Sequence, residues 1–269
     1  MTIFTNFLFV PASKPERYEK AMVSGADLIC IDLEDSVPAS AKDSAREDAI
    51  DALKWLDLSK TAVRINGIRT AEGLADLLAL RASDKKPCLL FIPMVEHAVE
   101  IEIAKSALGV GTGGFVPLIE TVRGLSNAIE IAAADGVAAV MFGGGDFSSE
   151  LGVKMDWEPL LTARSQLVMA CAAAKVYCVD VPFIDISNEA GLADETARVK
   201  ALGFHAKAAI HPSQIAIIKL GMKPTEAEVA EAKDALAAFE ASGGAVIRHK
   251  GQMLEVPIVK RYQQILASA

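Results

Sequence analysis

Eight short apolar runs, spread almost evenly along 269 residues, constrain the fold of this chain more than any other feature. Nearly all of them are apolar at consecutive positions, which is typical of parallel strands that are buried on both faces. The runs begin about 29 residues apart, which is the length of a strand and its following helix. They lie at residues 6–10, 28–33, 61–65, 88–93, 115–119, 137–142, 177–181 and 207–210.

The segments between the runs carry the spacing of amphipathic helices. Apolar residues recur there every three or four positions, at residues 41–53, 70–80, 95–108, 121–134, 157–174, 192–202 and 212–219. Ser13 and Glu16 form an S-x-x-E capping box, which predicts a further helix after the first strand. Strands and helices in this alternation predict an α/β fold, a (β/α)8 TIM barrel. A doubly wound open sheet is the alternative, although the pattern G-x-G-x-x-G is absent after the first strand.

The composition changes after Gly221. Pro224 begins a charged amphipathic helix that ends at Gly243, two short strands are predicted about Lys250, and a terminal helix is predicted from Pro257. A barrel does not need these residues. The chain is therefore predicted to have a catalytic barrel domain at 1–221 and a small C-terminal α/β appendage at 222–269, which serves as a lid or an oligomerisation segment.

Charge and hydropathy exclude several classes of protein. The net charge of −8 and the isoelectric point near 5.1 argue against nucleic acid as a partner. No apolar run reaches the roughly 18 residues of a membrane span, and residues 1–10 lack the features of a signal peptide. The four cysteines form no C-x-x-C pair. We therefore predict a cytoplasmic protein with no membrane partner.

Charged residues follow several of the predicted strands. Active sites in barrels of this class lie at the carboxyl ends of the strands, and the residues there include Asp32, Glu34, Asp35, Arg64, Glu120 and Asp146. Carboxylates without a cluster of His or Cys favour Mg²⁺ or Mn²⁺ over zinc. The alternative is that Glu120 and Asp146 only cap helices. Glycines 143–145 could make an ordinary tight turn, and so could glycine-rich residues 111–114, which lack the Lys of a phosphate-binding loop.

In its motifs, the whole chain resembles the citrate lyase β-subunit-like branch of the HpcH/HpaI aldolase family, which also includes malyl-CoA lyases. The stretches that carry the resemblance are F-V-P-A-S at 9–13, I-D-L-E-D-S-V at 31–37, R-I-N at 64–66, I-E-T at 119–121, F-G-G-G-D at 142–146, G-F-H-A-K at 203–207, I-H-P-S-Q at 210–214 and G-Q-M-L-E-V-P at 251–257. Each motif is loose by itself, but the set occurs in the family's order.

This resemblance implies a Mg²⁺-dependent lyase that cleaves a 3-hydroxyacyl-CoA into an acyl-CoA and a 2-oxo acid, or condenses the two. By the same resemblance, Glu120 and Asp146 hold the metal, while Glu34 and Asp35 hydrogen-bond to metal-bound water. Arg64 contacts the oxo acid and the thioester, and with Asp35 and Glu255 it forms the expected catalytic set. Gly143, Gly144, Gly145 and Lys14 are expected to bind substrate. Glu255 is expected to reach the site of a neighbouring subunit in a trimer or hexamer.

The chain departs from the family pattern at five places. Ala12 and Ala206 each replace a glycine, Lys14 replaces a usual arginine, Met94 replaces the lysine that usually follows Pro93, and Glu255 replaces an aspartate. Two further functions therefore stay open. One is a CoA-independent aldolase that acts on a 2-oxo acid, and the other is a citrate lyase-type subunit that is active only with an acyl carrier protein.

Overall fold

The computed structural model describes residues 4–109 and 113–268. Residues 111 and 112 of the predicted glycine turn, and residues 1–3 of the segment considered as a signal peptide, lie outside the described residues. The chain divides into two compact units, Met1–Lys219 and Leu220–Ala269.

The first unit is a closed barrel of eight parallel strands. Each strand pairs with its neighbours in chain order, and β1 pairs with both β2 and β8, so the sheet has no free edge. The strands are β1 (Asn6–Pro11), β2 (Leu28–Asp32), β3 (Thr61–Arg64), β4 (Leu89–Ile92), β5 (Phe115–Ile119), β6 (Ala139–Phe142), β7 (Tyr177–Asp180) and β8 (Ala206–Ala209). The predicted barrel is confirmed, and the open-sheet alternative is wrong.

The helices alternate with the strands as predicted, with three local differences. They are α1 (Tyr18–Met22), α2 (Lys42–Ala52), α3 (Ala71–Ala82), α4 (Ala98–Leu108), α5 (Val122–Ser126), α6 (Ala128–Ala132), α7 (Gly144–Leu151), α8 (Trp157–Ala174), α9 (Glu189–Leu202) and α10 (Pro212–Met222). The helix predicted at 121–134 is interrupted at Asn127, whose ψ of 8° is not helical. The capping box at Ser13 is wrong, because a 3₁₀ turn, Pro15–Arg17, precedes α1 without a side-chain cap. Helix α7 is absent from the helices predicted by apolar spacing, and only the helix-cap alternative for Asp146 predicts it.

The period of two along each strand divides the barrel into an inside and an outside. The inward positions build one apolar cluster, which includes Phe7, Cys30, Ala62, Leu118, Met141, Val179 and Ala208. Bulky rings fill much of this space, with the centroids of Phe7 and Phe91 4.9 Å apart. The interior is therefore a packed core and not a channel.

A buried ion network lies on the outward side of β7 and β8. Asp180 and Lys207 are register partners, and the Lys207 ammonium donates to Asp180 at 2.6 Å, to Glu195 at 2.7 Å and to the Val181 carbonyl at 2.7 Å. Arg164 donates to the other oxygen of Asp180 at 2.9 Å. Burial alone would raise the pKa of Asp180, but Lys207 and Arg164 hold it below its usual value. Two cations and two carboxylates thus join strands β7 and β8 to helices α8 and α9.

The second unit has its own small core. It contains α11 (Glu226–Ala241), an antiparallel hairpin of β9 (Ile247–His249) and β10 (Gln252–Leu254), and α12 (Val256–Ala267). Ala232, Ala235, Leu254 and Tyr262 are buried together. Thr225 and Glu228 form a capping box at the start of α11. Among the described residues, no helix is long and apolar enough to cross a membrane.

Asp180→Asn should destabilise the protein by about 3–5 kcal/mol, because it leaves Lys207 and Arg164 buried without their shared charge. Urea unfolding measures the change. The control is Lys54→Met, which removes an ion pair with Asp51 in which both side chains are mostly exposed. Its free energy of unfolding should change by less than about 0.5 kcal/mol. Equal effects of the two substitutions would contradict a structural role for the network.

Candidate active site

A cavity of about 390 Å³ opens at the carboxyl ends of the barrel strands. The residues of its wall occupy the next inward-facing positions along the strands, directly after the core residues. In seven of the eight strands, the residue two positions beyond the last core residue lines the cavity. These residues are Pro11, Asp32, Arg64, Glu120, Gly143, Val181 and Ile210. The site therefore begins where the inward positions stop being uniformly apolar.

Arg64 and Asp32 are register partners on β3 and β2, and they form a bidentate ion pair. Nε and Nη2 of Arg64 donate to the two carboxylate oxygens of Asp32 at 2.7 and 2.8 Å. The guanidinium also lies 4.7 Å from the centroid of Phe9. Burial would raise the pKa of Asp32, but the hydrogen bonds and charge of Arg64 lower it. The pair is fixed in orientation because a bidentate contact and an aromatic face restrain the guanidinium.

Asp32 is the functional residue that the sequence prediction missed. The sequence groups Asp32 with Glu34 and Asp35 at one charged strand end, but in the structure its side chain lies inside the barrel. It lies two positions after the core residue Cys30, so the period of two puts its side chain inside the barrel. Applying that period strictly to β2 would have identified it.

Glu34 and Asp35 face the third nitrogen of the same guanidinium. Nη1 of Arg64 lies 2.8 Å from Oε2 of Glu34 and 3.3 Å from Oδ2 of Asp35. Oε2 of Glu34 is buried and accepts no hydrogen bond from the described residues. Burial raises the pKa of Glu34 to about 8, against the opposing charge of Arg64. This cluster has more carboxylates than one arginine can neutralise.

The loop that carries Glu34 and Asp35 is held on two sides. Asp32 accepts the N–H of Glu34 at 3.0 Å, on the side of the barrel interior. On the other side, the ammonium of Lys42 donates to the carbonyls of Leu33 and Glu34, both at 2.7 Å. Lys42 also donates to the amide oxygen of Asn66 at 2.6 Å. These contacts fix the backbone of the loop that carries the two carboxylates.

Glu120 follows β5 and is 4 % exposed. Its Oε2 accepts the N–H of Met94 at 2.6 Å, and Met94 adopts a left-handed φ of 57°. This contact uses the backbone, so it does not depend on the side chain that replaces the family's lysine. Burial raises the pKa of Glu120 to about 7. A Cβ on Gly143 would lie 2.1 Å from Cγ of Glu120, so Gly143 leaves the space that this side chain occupies.

Asp146 lies in the first turn of α7, next to the cavity. Burial and the charge of Asp35 raise its pKa. The helix-cap alternative is wrong for both candidate ligands. The N-cap of α7 is Gly143, and the N-cap of α5 is Thr121, whose hydroxyl accepts the N–H of Gly124 at 3.0 Å. Neither Glu120 nor Asp146 is needed as a cap.

The donor set at the cavity suits a hard divalent cation. Glu120 and Asp146 line the same cavity, and the negative charge of Asp146 adds to burial in raising the pKa of Glu120, an effect that a cation would relieve. Among the described residues, no three His, Cys, Asp or Glu side chains are placed to hold a metal by themselves. Mg²⁺ commonly uses one or two carboxylates and keeps several waters, so two carboxylates suffice for it.

Lys14 and Glu255 are not among the residues that line the cavity. Lys14 is exposed at the start of the 3₁₀ turn after β1, and it does not line the cavity. Glu255 is exposed and directly precedes α12 in the second unit. Their roles in binding and catalysis stay predictions. Gly143 and Gly145 line the cavity, while Gly144 is buried behind them against Phe142 and Val181.

Comparison with known proteins identifies the family. Residues 6–212 match HpcH/HpaI aldolase/citrate lyase. The chain belongs to this family. It is 34% identical to citrate lyase subunit beta of Leuconostoc mesenteroides subsp. cremoris, over 97% of this chain and 92% of that protein. It is 31% identical to L-malyl-CoA/beta-methylmalyl-CoA lyase of Cereibacter sphaeroides (strain ATCC 17025 / ATH 2.4.3), over 97% of this chain and 93% of that protein.

The fold agrees with a solved member of the family. The structure of CitE from Mycobacterium tuberculosis in complex with magnesium, acetoacetate and coenzyme A matches with a TM-score of 0.88 and 31% identity, over 100% of this chain and 99% of that chain. The predicted resemblance and fold are confirmed. Like its relatives in the HpcH/HpaI aldolase/citrate lyase family, this chain is a carbon–carbon lyase.

Gly143→Ala should displace Glu120, because the added methyl group would overlap the Glu120 side chain. We expect a loss of about 1–3 kcal/mol in the free energy of unfolding, as for an overpacked core, together with loss of lyase activity. Gly145→Ala is the matched control, since a Cβ there meets nothing within 4 Å. It should change stability by no more than about 1 kcal/mol. Similar losses in both variants would contradict the contact between Gly143 and Glu120.

Proposed function

We propose that this lyase cleaves a 3-hydroxyacyl-CoA thioester into an acyl-CoA and a 2-oxo acid, or forms it from them, with Mg²⁺ as cofactor. The observation that carries the proposal is one cavity lined by a fixed guanidinium and by two carboxylates of raised pKa, Glu120 and Asp146. The names of the relatives support the same chemistry, since one acts on malyl-CoA and another was solved with magnesium and coenzyme A.

Glu120 and Asp146 would hold the cation, and Glu34 and Asp35 would contact it through water. Mn²⁺ would suit the same oxygen donors. When bound, a divalent cation supplies positive charge that makes a substrate hydroxyl easier to deprotonate. Side chains and backbone groups of the protein would stabilise the enolate, bind the carboxylate of the oxo acid and supply the proton.

Arg64 is suited to stabilise the charge that develops during cleavage. The bond between the hydroxyl-bearing carbon and the α-carbon breaks, the hydroxyl proton leaves, and the electron pair passes to the thioester as an enolate. A guanidinium that is already oriented by Asp32 presents positive charge to the enolate oxygen without reorganisation. The N–H groups of Gly144 and Gly145 at the start of α7 are suited to bind the carboxylate of the oxo acid.

The enolate must then gain a proton at its α-carbon. We propose that Glu255 of a neighbouring subunit supplies this acid, in a trimer or a hexamer. The support is the match of residues 251–257 to a family motif whose aspartate has this proposed role. Glutamate keeps the carboxylate and extends it by one methylene.

Glu120→Gln should remove most of the affinity for Mg²⁺, which isothermal calorimetry measures directly. In the wild-type protein the affinity should rise from about pH 6 to about pH 8, because Mg²⁺ must displace a proton from a carboxyl whose pKa is about 7. The control is Glu130→Gln, at an exposed position of α6, which should bind as the wild type does. Unchanged binding by Glu120→Gln would rule out this metal site.

Arg64→Lys should lower kcat/KM at least tenfold, or by about 1.4 kcal/mol, since it keeps the charge but loses the bidentate fork. The assay is Mg²⁺-dependent cleavage of malyl-, methylmalyl- and citryl-CoA. Near-normal kinetics would leave Arg64 as a structural ion pair with Asp32. Activity on the free hydroxy acids, or only on a thioester of an acyl carrier protein, would favour the corresponding alternative function.

Mixing inactive Glu255→Gln with inactive Glu120→Gln should restore part of the activity if subunits share sites. Exchange creates some sites that contain both intact carboxylates. Native mass spectrometry verifies the exchange and gives the oligomeric state. Mixtures that exchange subunits and stay inactive would exclude a shared site.

A further inference from the structure

The ring of inward residues at the cavity is divided into two arcs of different chemistry. Strands β2, β3, β5 and β6 contribute Asp32, Arg64, Glu120 and Gly143. The contiguous strands β7, β8 and β1 contribute Val181, Ile210 and Pro11. We name the second set the apolar arc. It begins directly beside the strand that carries Gly143 and Asp146 toward the cavity.

The loop after β7 extends the apolar arc toward the rim. Pro182 and Ile184 line the cavity there, and Met155 adds a further apolar side chain. Ile184 is 61 % exposed and Ile210 is 37 % exposed, so both present apolar surface at the cavity. An apolar group seated in the cavity would cover them.

This wall has a defined shape because one side chain links its two strands. The amide of Gln214 donates to the carbonyl of Phe183 at 2.7 Å, and its oxygen accepts the N–H of Ile210 at 2.9 Å. Gln214 is 1 % exposed. The loop that carries Ile184 and the end of β8 are therefore held at a fixed separation.

Positive charge at the cavity is confined to the other arc. Arg64 is the basic side chain among the described cavity-lining residues, and it already contacts Asp32, Glu34 and Asp35. A substrate carboxylate placed against the apolar arc would lose its water and find no cationic partner. An alkyl group placed there would instead remove apolar surface from water.

We propose that the apolar arc receives the substituent R of the 2-oxo acid R–CO–COO⁻, and that this substituent is alkyl rather than a second carboxylate. The inference rests on the proposed function and narrows its substrate class. It predicts that a 3-hydroxyacyl-CoA with one free carboxylate is a better substrate than citryl-CoA, which carries two. The oxo acid end adjoins this arc because β6, which leads to the proposed metal ligand Asp146, is the neighbour of β7.

The first test varies R alone. Wild-type protein condenses acetyl-CoA with 2-oxobutyrate or with oxaloacetate in the presence of Mg²⁺, and the two values of kcat/KM are compared. We expect the value for 2-oxobutyrate to be at least about tenfold higher. Equal values, or a preference for oxaloacetate, would overturn the inference while leaving the proposed lyase function intact.

The second test moves a cation into the apolar arc. Ile184→Lys should raise the ratio of oxaloacetate to 2-oxobutyrate activity at least about fivefold, because the new ammonium pairs with the second carboxylate. Ile186→Lys is the matched control, since Ile186 is exposed in the same loop but does not line the cavity. Its ratio should equal that of the wild type. The same change of ratio in both variants, or in neither, overturns the assignment of Ile184.

Binding separates failure of this inference from failure of the proposed function. Calorimetry with excess Mg²⁺ compares the dissociation constants of 2-oxobutyrate and oxaloacetate, with Glu120→Gln as the blank. If no thioester is cleaved or formed, the proposed function fails, yet tighter binding of 2-oxobutyrate still supports the apolar arc. Oxaloacetate binding as tightly as 2-oxobutyrate overturns it, whatever the activity.

Discussion

A closed barrel of eight parallel strands points alternate side chains into one shared interior, and the site depends on that constraint. Below the cavity the inward positions are apolar and packed against one another. One step further along the strands they become Asp32, Arg64, Glu120 and Gly143. Charged groups can occupy this layer because they meet each other across the barrel, which a single strand in isolation could not provide.

Two ion clusters among the described residues differ in charge balance, and the difference separates a structural role from a chemical one. Outside the barrel, Asp180 and Glu195 are matched by Lys207 and Arg164, and the pKa of Asp180 is lowered. Inside, Arg64 faces Asp32, Glu34 and Asp35, and the pKa of Glu34 is raised. The first cluster is neutral by itself. The second has surplus negative charge, which suits a site that binds a cation and a substrate.

Backbone groups, and the space left by a glycine, position Glu120 and the loop that carries Glu34. The N–H of Met94 orients Glu120, and the lack of a Cβ at Gly143 leaves room for it. Lys42 holds the loop of Glu34 through two carbonyls. Such contacts use only the backbone of the contacting residue, so the contact between Met94 and Glu120 does not depend on the Met94 side chain.

The sequence by itself determined the barrel, because strand spacing and uninterrupted apolar runs record burial on both faces of each strand. It also determined which strand ends are charged, and so indicated Arg64, Glu120 and Asp146. Tertiary structure alone decided that Asp32 pairs with Arg64, that Thr121 and Gly143 cap the helices in place of the candidate ligands, and that the predicted helix at 121–134 is interrupted at Asn127. These features depend on strand register and on contacts between segments far apart in the chain. Local periodicity carries no information about such contacts, since it reports only whether a residue is buried and not which residue it meets.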